Sequence, residues 1–170
     1  MNTKSNNFIF LDIDGVLATS HQYYTNRKKW HEMYDCYRFD EKCVKVFNEI
    51  LSKTNPVIIL TSDWREKYSI EIMNEIFKWN NVNGKVLNFT ENLWGSHFFS
   101  VQDLEKCRAG EINMFVKKYE PLFENANWIA IDDLDLSPWI SEEHFIRTPR
   151  ANEGIKQSGV KDKILNILLN

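Results

Sequence analysis

Three short apolar runs, FIFL, VIIL and WIAI, each give way at once to carboxylates or hydroxyls, and stretches of helical periodicity lie between them. Short runs rich in β-branched and aromatic residues read as buried strands. Strands separated by helices require a parallel sheet covered on both faces. Phe8 to Asp12 is the first strand, stopped by Gly15. Pro56 to Leu60 is the second, with Pro at its first position, where no ladder donor is needed. KVLNF is a weaker third, Trp128 to Asp132 a fourth and HFIRT a short fifth. The first helical face, opening at Asp40, carries Val44, Phe47, Ile50 and Leu51. DWREKYSIEIMNEIFKW reads as one helix, with Asp63 as its N-cap and Glu66 as the reciprocal member of a capping box. Ile112, Phe115, Val116 and Tyr119 mark another, and Val160, Ile164, Ile167 and Leu168 a closing one.

Ligands of open parallel sheets bind beyond the carboxyl ends of the strands. Asp12 with Asp14, Thr61 with Ser62, and Asp132 with Asp133 all stand at such ends. If those strands are neighbours, four carboxylates and two hydroxyls share one rim. Converging carboxylates repel, and a hard cation relieves them; Mg²⁺ takes oxygen ligands and commonly combines one or two carboxylates with a substrate phosphate. Gly15 lets the chain turn tightly beside such a ligand.

The length of 170 residues suits one domain, and 43% hydrophobic content supplies a core. A formal net charge of -3 excludes a generic nucleic-acid coat but leaves room for a local basic groove. Cys36, Cys43 and Cys107 are odd in number and scattered, which disfavours a disulfide framework or zinc knuckle and fits a reducing cytoplasm. The polar start MNTKSNN is no signal sequence, and no run approaches the roughly 18 apolar residues of a membrane span.

The motifs DIDGVL, VIILTS and WIAIDD, in this order, resemble those of the haloacid-dehalogenase-like (HAD) phosphohydrolases, and the likeness spans nearly the whole chain. Further stretches, FDEKCVKVFNEI, LTSDWR and RAGEI, resemble the small HAD domains associated with RNA-repair proteins and, more distantly, the phosphatase half of polynucleotide kinase–phosphatase. The resemblance implies a single Rossmann-like HAD domain over 1–170, with a mostly parallel sheet, helices on both faces and a small cap inserted at about 19–38. It also implies roles. Asp12 would be the nucleophile that forms an aspartyl-phosphate. Asp14 would protonate the leaving oxygen and later activate water. Thr61, with Ser62 next, would hydrogen-bond the phosphoryl oxygens. The third family motif is a Lys or Arg ahead of the following helix. LEKCRAGEI offers Lys106 and Arg108, of which Arg108 is favoured as lying just before that helix and offering a bidentate fork. Mg²⁺ would be held by Asp12, the Asp14 carbonyl and Asp133, with Asp132 assisting.

The insert HQYYTNRKKWHEMYDCYRF interleaves aromatic and basic residues, among them Arg27, Lys28 and Trp30. It is open to two readings: a stacking platform with cations for bases and phosphates, or an amphipathic lid helix in which Trp30, Tyr34 and Tyr37 share helical spacing. Arg147 and Arg150, just after the fifth strand on the same rim, are open to two readings: a hold on a second phosphate or a carboxylate, or a solvated turn. Trp64 and Arg65 are expected to pack or cap. Together these readings point to a cytoplasmic Mg²⁺-dependent phosphatase acting on a nucleotide or a phosphorylated nucleic-acid end, with no membrane partner and with a repair kinase or ligase as the partner class. The alternatives are a small-metabolite phosphatase, such as one for a sugar phosphate, a phospho-acceptor domain, or a silent domain that binds phosphorylated ends.

Overall fold

The computed structural model describes residues 6–19, 30–93 and 100–170, with the backbone alone at Trp30. Five strands form the main sheet: β1 (Asn7–Leu11), β4 (Val57–Leu60), β5 (Val86–Phe89), β6 (Asn127–Asp132) and β7 (Phe145–Arg147). Their spatial order is β5-β4-β1-β6-β7, and every pairing is parallel. The helices are α1 (Glu41–Thr54), α2 (Trp64–Lys67), α3 (Ile70–Trp79), α4 (Val101–Lys118), α5 (Glu120–Phe123) and α6 (Val160–Leu169).

Period-two alternation assigns each strand residue to one of two cores. Ile9, Leu11, Ile58, Leu60, Ile129 and Ile131 join α1, α3 and α6 on one face. Phe8, Phe10, Ile59, Trp128 and Ala130 join α4 and α5 on the other, a strongly aromatic face in which Phe10 meets Phe115 and Trp128 edge-on at 5.6 Å. This is a Rossmann-like α/β fold with a small insert after β1.

The described part of the insert is a two-stranded antiparallel hairpin, β2 (Trp30–His31) and β3 (Cys36–Tyr37), in which Trp30 pairs with Tyr37. It corrects the lid-helix reading: the backbones of Trp30 and Tyr37 pair across an antiparallel ladder. Residues Arg27 and Lys28 lie outside the described residues. Asp35 takes the left-handed conformation in the turn, a position that short polar side chains tolerate.

The helix expected over DWREKYSIEIMNEIFKW is two helices. Tyr68 is extended at φ -127°, ψ 142°, and the Ser69 side chain accepts from Ile72 N to start α3 afresh. Asp63 makes no capping bond because its carboxylate turns to Arg108 instead. A second correction concerns the third motif. Helix α4 starts seven residues before Arg108, with Ser100 accepting from Asp103 N, so Lys106 and Arg108 lie within a helix rather than ahead of one. Among the described residues no helix is long and apolar enough to cross a membrane.

Phe10 is fully buried between aromatic neighbours, whereas Leu87 on the edge strand is 61% exposed. Phe10→Ala is expected to lower the unfolding free energy by about 3–5 kcal/mol, read by denaturant titration. Leu87→Ala should stay within about 0.5 kcal/mol. Equal losses would contradict the assignment of the aromatic face as core.

Candidate active site

The register of the central strands levels their ends. Leu11 is paired with both Leu60 and Ile131, and the ladder continues one residue further, with Asp12 N donating to Ile131 O at 3.0 Å and Thr61 N to Leu11 O at 2.9 Å. Asp12, Thr61 and Asp132 each follow a residue that faces the α1 side, so alternation turns them toward the face that α4 covers. Arg108 reaches them from α4. Its Nη1 donates to Asp12 Oδ1 at 3.2 Å and to Asp132 Oδ2 at 3.0 Å, and its Nη2 donates to Asp63 Oδ1 at 2.6 Å. Asp12, Asp132 and Arg108 are all buried.

Carboxylate oxygens of Asp12, Asp132 and Asp133 approach one another within 4.8 Å. Gly15 makes room for the third of these: at its φ of +72°, an added Cβ would lie 2.5 Å from Asp133 Cγ. Thr148 Oγ1 donates to the Gly15 carbonyl at 3.0 Å and fixes that turn.

Burial raises the pKa of Asp12 well above the usual carboxylate range, and Asp132 adds to it, with Arg108 opposing. Asp132 is also raised, by burial first, against the pull of Arg108. Asp133 is pushed up to about 6 by burial and then by its neighbours Asp132 and Asp14. Burial alone would lower the Arg108 pKa, but Asp132, Asp12, Asp63 and Glu111 override it and keep the guanidinium charged. A cluster of hard oxygen donors whose mutual repulsion favours protonation suits a small divalent cation, which would remove that repulsion.

Behind the rim lies a second ionic layer. Arg65 Nη2 donates to Glu111 Oε2 at 2.6 Å, its Nη1 donates to the Thr61 carbonyl, and Leu93 N donates to Glu111 Oε1 at 3.1 Å. Glu111 also lies 3.7 Å from Arg108 Nε. This buried pair braces the strand end and the guanidinium together. Burial outweighs attraction for both partners, raising Glu111 and lowering Arg65.

Asp14 stands outside the carboxylate cluster. Tyr37 Oη donates to its Oδ1, and Trp64 Nε1 donates to its Oδ2 at 2.9 Å. Ser62 is buried, and its Oγ has no hydrogen-bond partner among the described residues. Lys106 is exposed on α4, away from the face that carries Arg108. Arg147 is exposed and bound to Asp135 at 2.8 Å and to the Asp133 carbonyl at 3.1 Å. It lines a cavity of about 440 Å³ that contains none of Asp12, Asp132 and Asp133. A groove of about 280 Å³ between the hairpin and α2 is lined by Tyr37, Trp64, Tyr68, Asp63 and Lys67.

Residues 8–160 match the family model described as the HAD domain in Swiss Army Knife RNA repair proteins. The chain belongs to this family. It is therefore an HAD-type phosphohydrolase, and the buried Asp12, Asp132 and Asp133 cluster of this HAD domain is able to chelate a divalent metal. No curated protein and no solved structure matches the chain significantly.

Sequence reasoning missed Tyr37, Asp63, Arg65 and Glu111 as parts of this site. For Glu111 a signal was present: it lies four residues before Phe115, as Arg108 lies four before Ile112, so both charges fall on the buried face of an amphipathic helix. Charges are not left on such a face unpaired.

Two outcomes follow from these charges. Arg65→Met leaves Glu111 buried without its cation and is expected to cost about 3–5 kcal/mol in chemical unfolding; a loss below about 1 kcal/mol would contradict the bracing role. For Asp133, an acid held above its ordinary 3.8 at about 6 binds its proton more tightly folded than unfolded. Its contribution to stability is therefore present below that window and lost as the pH rises through it. Metal-free protein should melt higher at about pH 5 than at about pH 7, and Mg²⁺ should raise the melting temperature more at the higher pH. A metal-free melting temperature that rises over that interval would contradict the electrostatics described.

Proposed function

We propose that this HAD phosphohydrolase is a Mg²⁺-dependent phosphomonoesterase working through an aspartyl-phosphate on a nucleotide or a phosphorylated nucleic-acid end. One observation supports it above the rest: Asp12, from the end of β1, shares a buried cluster with Asp132 and Asp133, from the end of β6, under the charge of Arg108.

Asp12 is the nucleophile in this reading. Asp12, Asp133 and the Asp14 carbonyl would hold Mg²⁺, with Asp132 beside them, and the bound ion would offset negative charge on the phosphoryl group. Arg108 supplies a fixed positive charge beside Asp12 and stabilises the phosphoryl oxygens as negative charge develops on them. Its ties to Asp12, Asp132 and Asp63 hold the guanidinium in place before substrate arrives. Thr61 and Ser62 would offer their hydroxyls to the same oxygens, and the Ser62 Oγ, which has no hydrogen-bond partner among the described residues, supports an acceptor that comes with the substrate. Asp14, off the cluster and toward the cap, donates a proton to the leaving oxygen and then receives one from the attacking water.

Two observations support the substrate class. The groove of about 280 Å³ between hairpin and α2, beside Asp63 and Lys67, leaves room for the part of a substrate beyond its phosphate. The family description places such domains in RNA-repair proteins, which also makes a repair kinase or ligase the natural partner class and the cytoplasm the natural setting. The whole chain then works as one HAD domain. Arg27, Lys28 and Trp30 of the insert, together with Arg147, are the residues proposed to bind the substrate beyond its scissile phosphate; Lys106, exposed on α4, has no part in this reading.

Phosphate release should be measured with and without Mg²⁺ on 3′- and 5′-phosphorylated oligonucleotides, mononucleotides and sugar phosphates. Release should require Mg²⁺, favour the nucleic-acid substrates, and fall at least roughly a thousandfold in Asp12→Asn. Equal release by Asp12→Asn and wild type would remove the nucleophile assignment. Preference for sugar phosphates would remove the nucleic-acid assignment and leave the chemistry standing.

A further inference from the structure

Asp12 and Asp14 are two residues apart yet live in different surroundings. Asp12 faces α4 and its guanidinium, whereas Asp14 faces aromatic donors from two separate elements. Trp64 opens α2 directly behind β4, and Tyr37 belongs to the cap hairpin. Their rings meet edge to face at 5.4 Å, and Trp64 also packs on Phe39 and Tyr68, each at 5.6 Å.

The hairpin that carries Tyr37 is itself tied to the body of the protein. Tyr68 Oη donates to the Tyr34 carbonyl at 2.8 Å, Lys67 Nζ donates to the Asp35 carbonyl at 2.8 Å, and Arg38 Nη2 donates to the Trp79 carbonyl at 3.1 Å. The next residue, Phe39, is fully buried, and its N–H donates to Asn80 Oδ1 at 2.8 Å. The Tyr37 hydroxyl is thus held at a set place above the strand rim, and both oxygens of Asp14 are gripped from either side.

We propose that Tyr37 and Trp64 are positioning residues that orient the Asp14 carboxyl toward the leaving oxygen, so that the cap hairpin takes part in catalysis through the Tyr37 hydroxyl. This rests on the reading of Asp14 as the proton donor. As the Asp12 oxygen forms its bond to phosphorus and the bond from phosphorus to the leaving oxygen breaks, the proton passes from Asp14 to that oxygen. In the second half the proton of the attacking water returns to Asp14 as the aspartyl-phosphate bond breaks. A phenol donates or accepts, so Tyr37 suits both protonation states of the carboxyl; an indole N–H only donates. Trp64 is best matched by an unprotonated oxygen, which keeps Oδ2 an acceptor and assigns the moving proton to Oδ1, the oxygen that Tyr37 touches. A carboxyl free to rotate would spend less time aimed at the leaving group, and orientation of this kind governs proton-transfer rates.

The test exploits the leaving group. An aryl phosphate with a strongly acidic phenol departs without a proton, whereas an alkyl phosphate needs one. Wild type, Tyr37→Phe, Trp64→Phe and Asp14→Asn should be compared on para-nitrophenyl phosphate, phenyl phosphate and a nucleoside 3′-monophosphate. Tyr37→Phe keeps the ring and should lower kcat about tenfold on the nucleoside phosphate but less than about twofold on para-nitrophenyl phosphate, with KM little changed. Trp64→Phe should show the same graded loss; if it does not fold, Tyr37→Phe alone decides. Equal losses across the series, or a loss confined to KM, would make Tyr37 a purely structural or binding residue and overturn the inference. A graded loss in Asp14→Asn with a flat response in Tyr37→Phe would overturn the positioning role alone. A flat response in Asp14→Asn would overturn the proton-donor reading and the positioning role with it.

Discussion

The buried guanidinium of Arg108 is the interaction on which the arrangement depends. Two carboxylates at the ends of adjacent strands, both inside the protein, could not be accommodated as anions without a cation that is buried with them. Arg108 meets both from the helix that covers that face, and Asp63 and Glu111 complete its surroundings. The sheet supplies the geometry at no extra cost in sequence, because each of Asp12, Thr61 and Asp132 follows a residue committed to the opposite core. Even with Arg65 and Arg108 both charged, carboxylates outnumber guanidiniums in the cluster. That surplus makes the cluster able to chelate a divalent cation.

The two aspartates of the first motif illustrate how one short turn yields two chemical environments. Asp12 is fixed by the ladder and by a cation, and its oxygens lie among other carboxylates. Asp14 lies past the ladder, where the chain bends at Gly15, and its carboxylate points to hydroxyl and indole donors. Neighbouring carboxyls given contrasting surroundings are suited to separate duties, one as nucleophile and one as proton carrier. The cap hairpin belongs to the second environment and the α4 helix to the first.

The sheet, its parallel sense and the strand-end residues were legible because they rest on patterns that a sequence displays: short apolar runs, helical spacing between them, and polar residues at the switch from one to the other. The hairpin was not legible. Trp30, Tyr34 and Tyr37 fit a helical spacing, and only the pairing of Trp30 with Tyr37 decides between a helix and a ladder. The part played by Asp63 was hidden for a related reason. Asp63 carries the composition of a cap, but a guanidinium 45 positions later in the chain attracts it more strongly than a backbone N–H next door. Arg108 was read from residue type and neighbourhood as a candidate, while its setting within a helix was misjudged because the start of that helix, at Ser100, precedes any apolar spacing that would reveal it. Long-range charge pairing is what local pattern cannot show.

The central claim is that Asp12 and Asp133 bind one metal ion between them. It is tested most directly by a crystal structure of the protein grown with Mn²⁺ in place of Mg²⁺, in which anomalous scattering locates the ion without reference to any assumed site. The account predicts a peak bonded to carboxylate oxygens of both residues, lost in Asp133→Asn. A peak elsewhere, or one that leaves Asp12 uncoordinated, would contradict it.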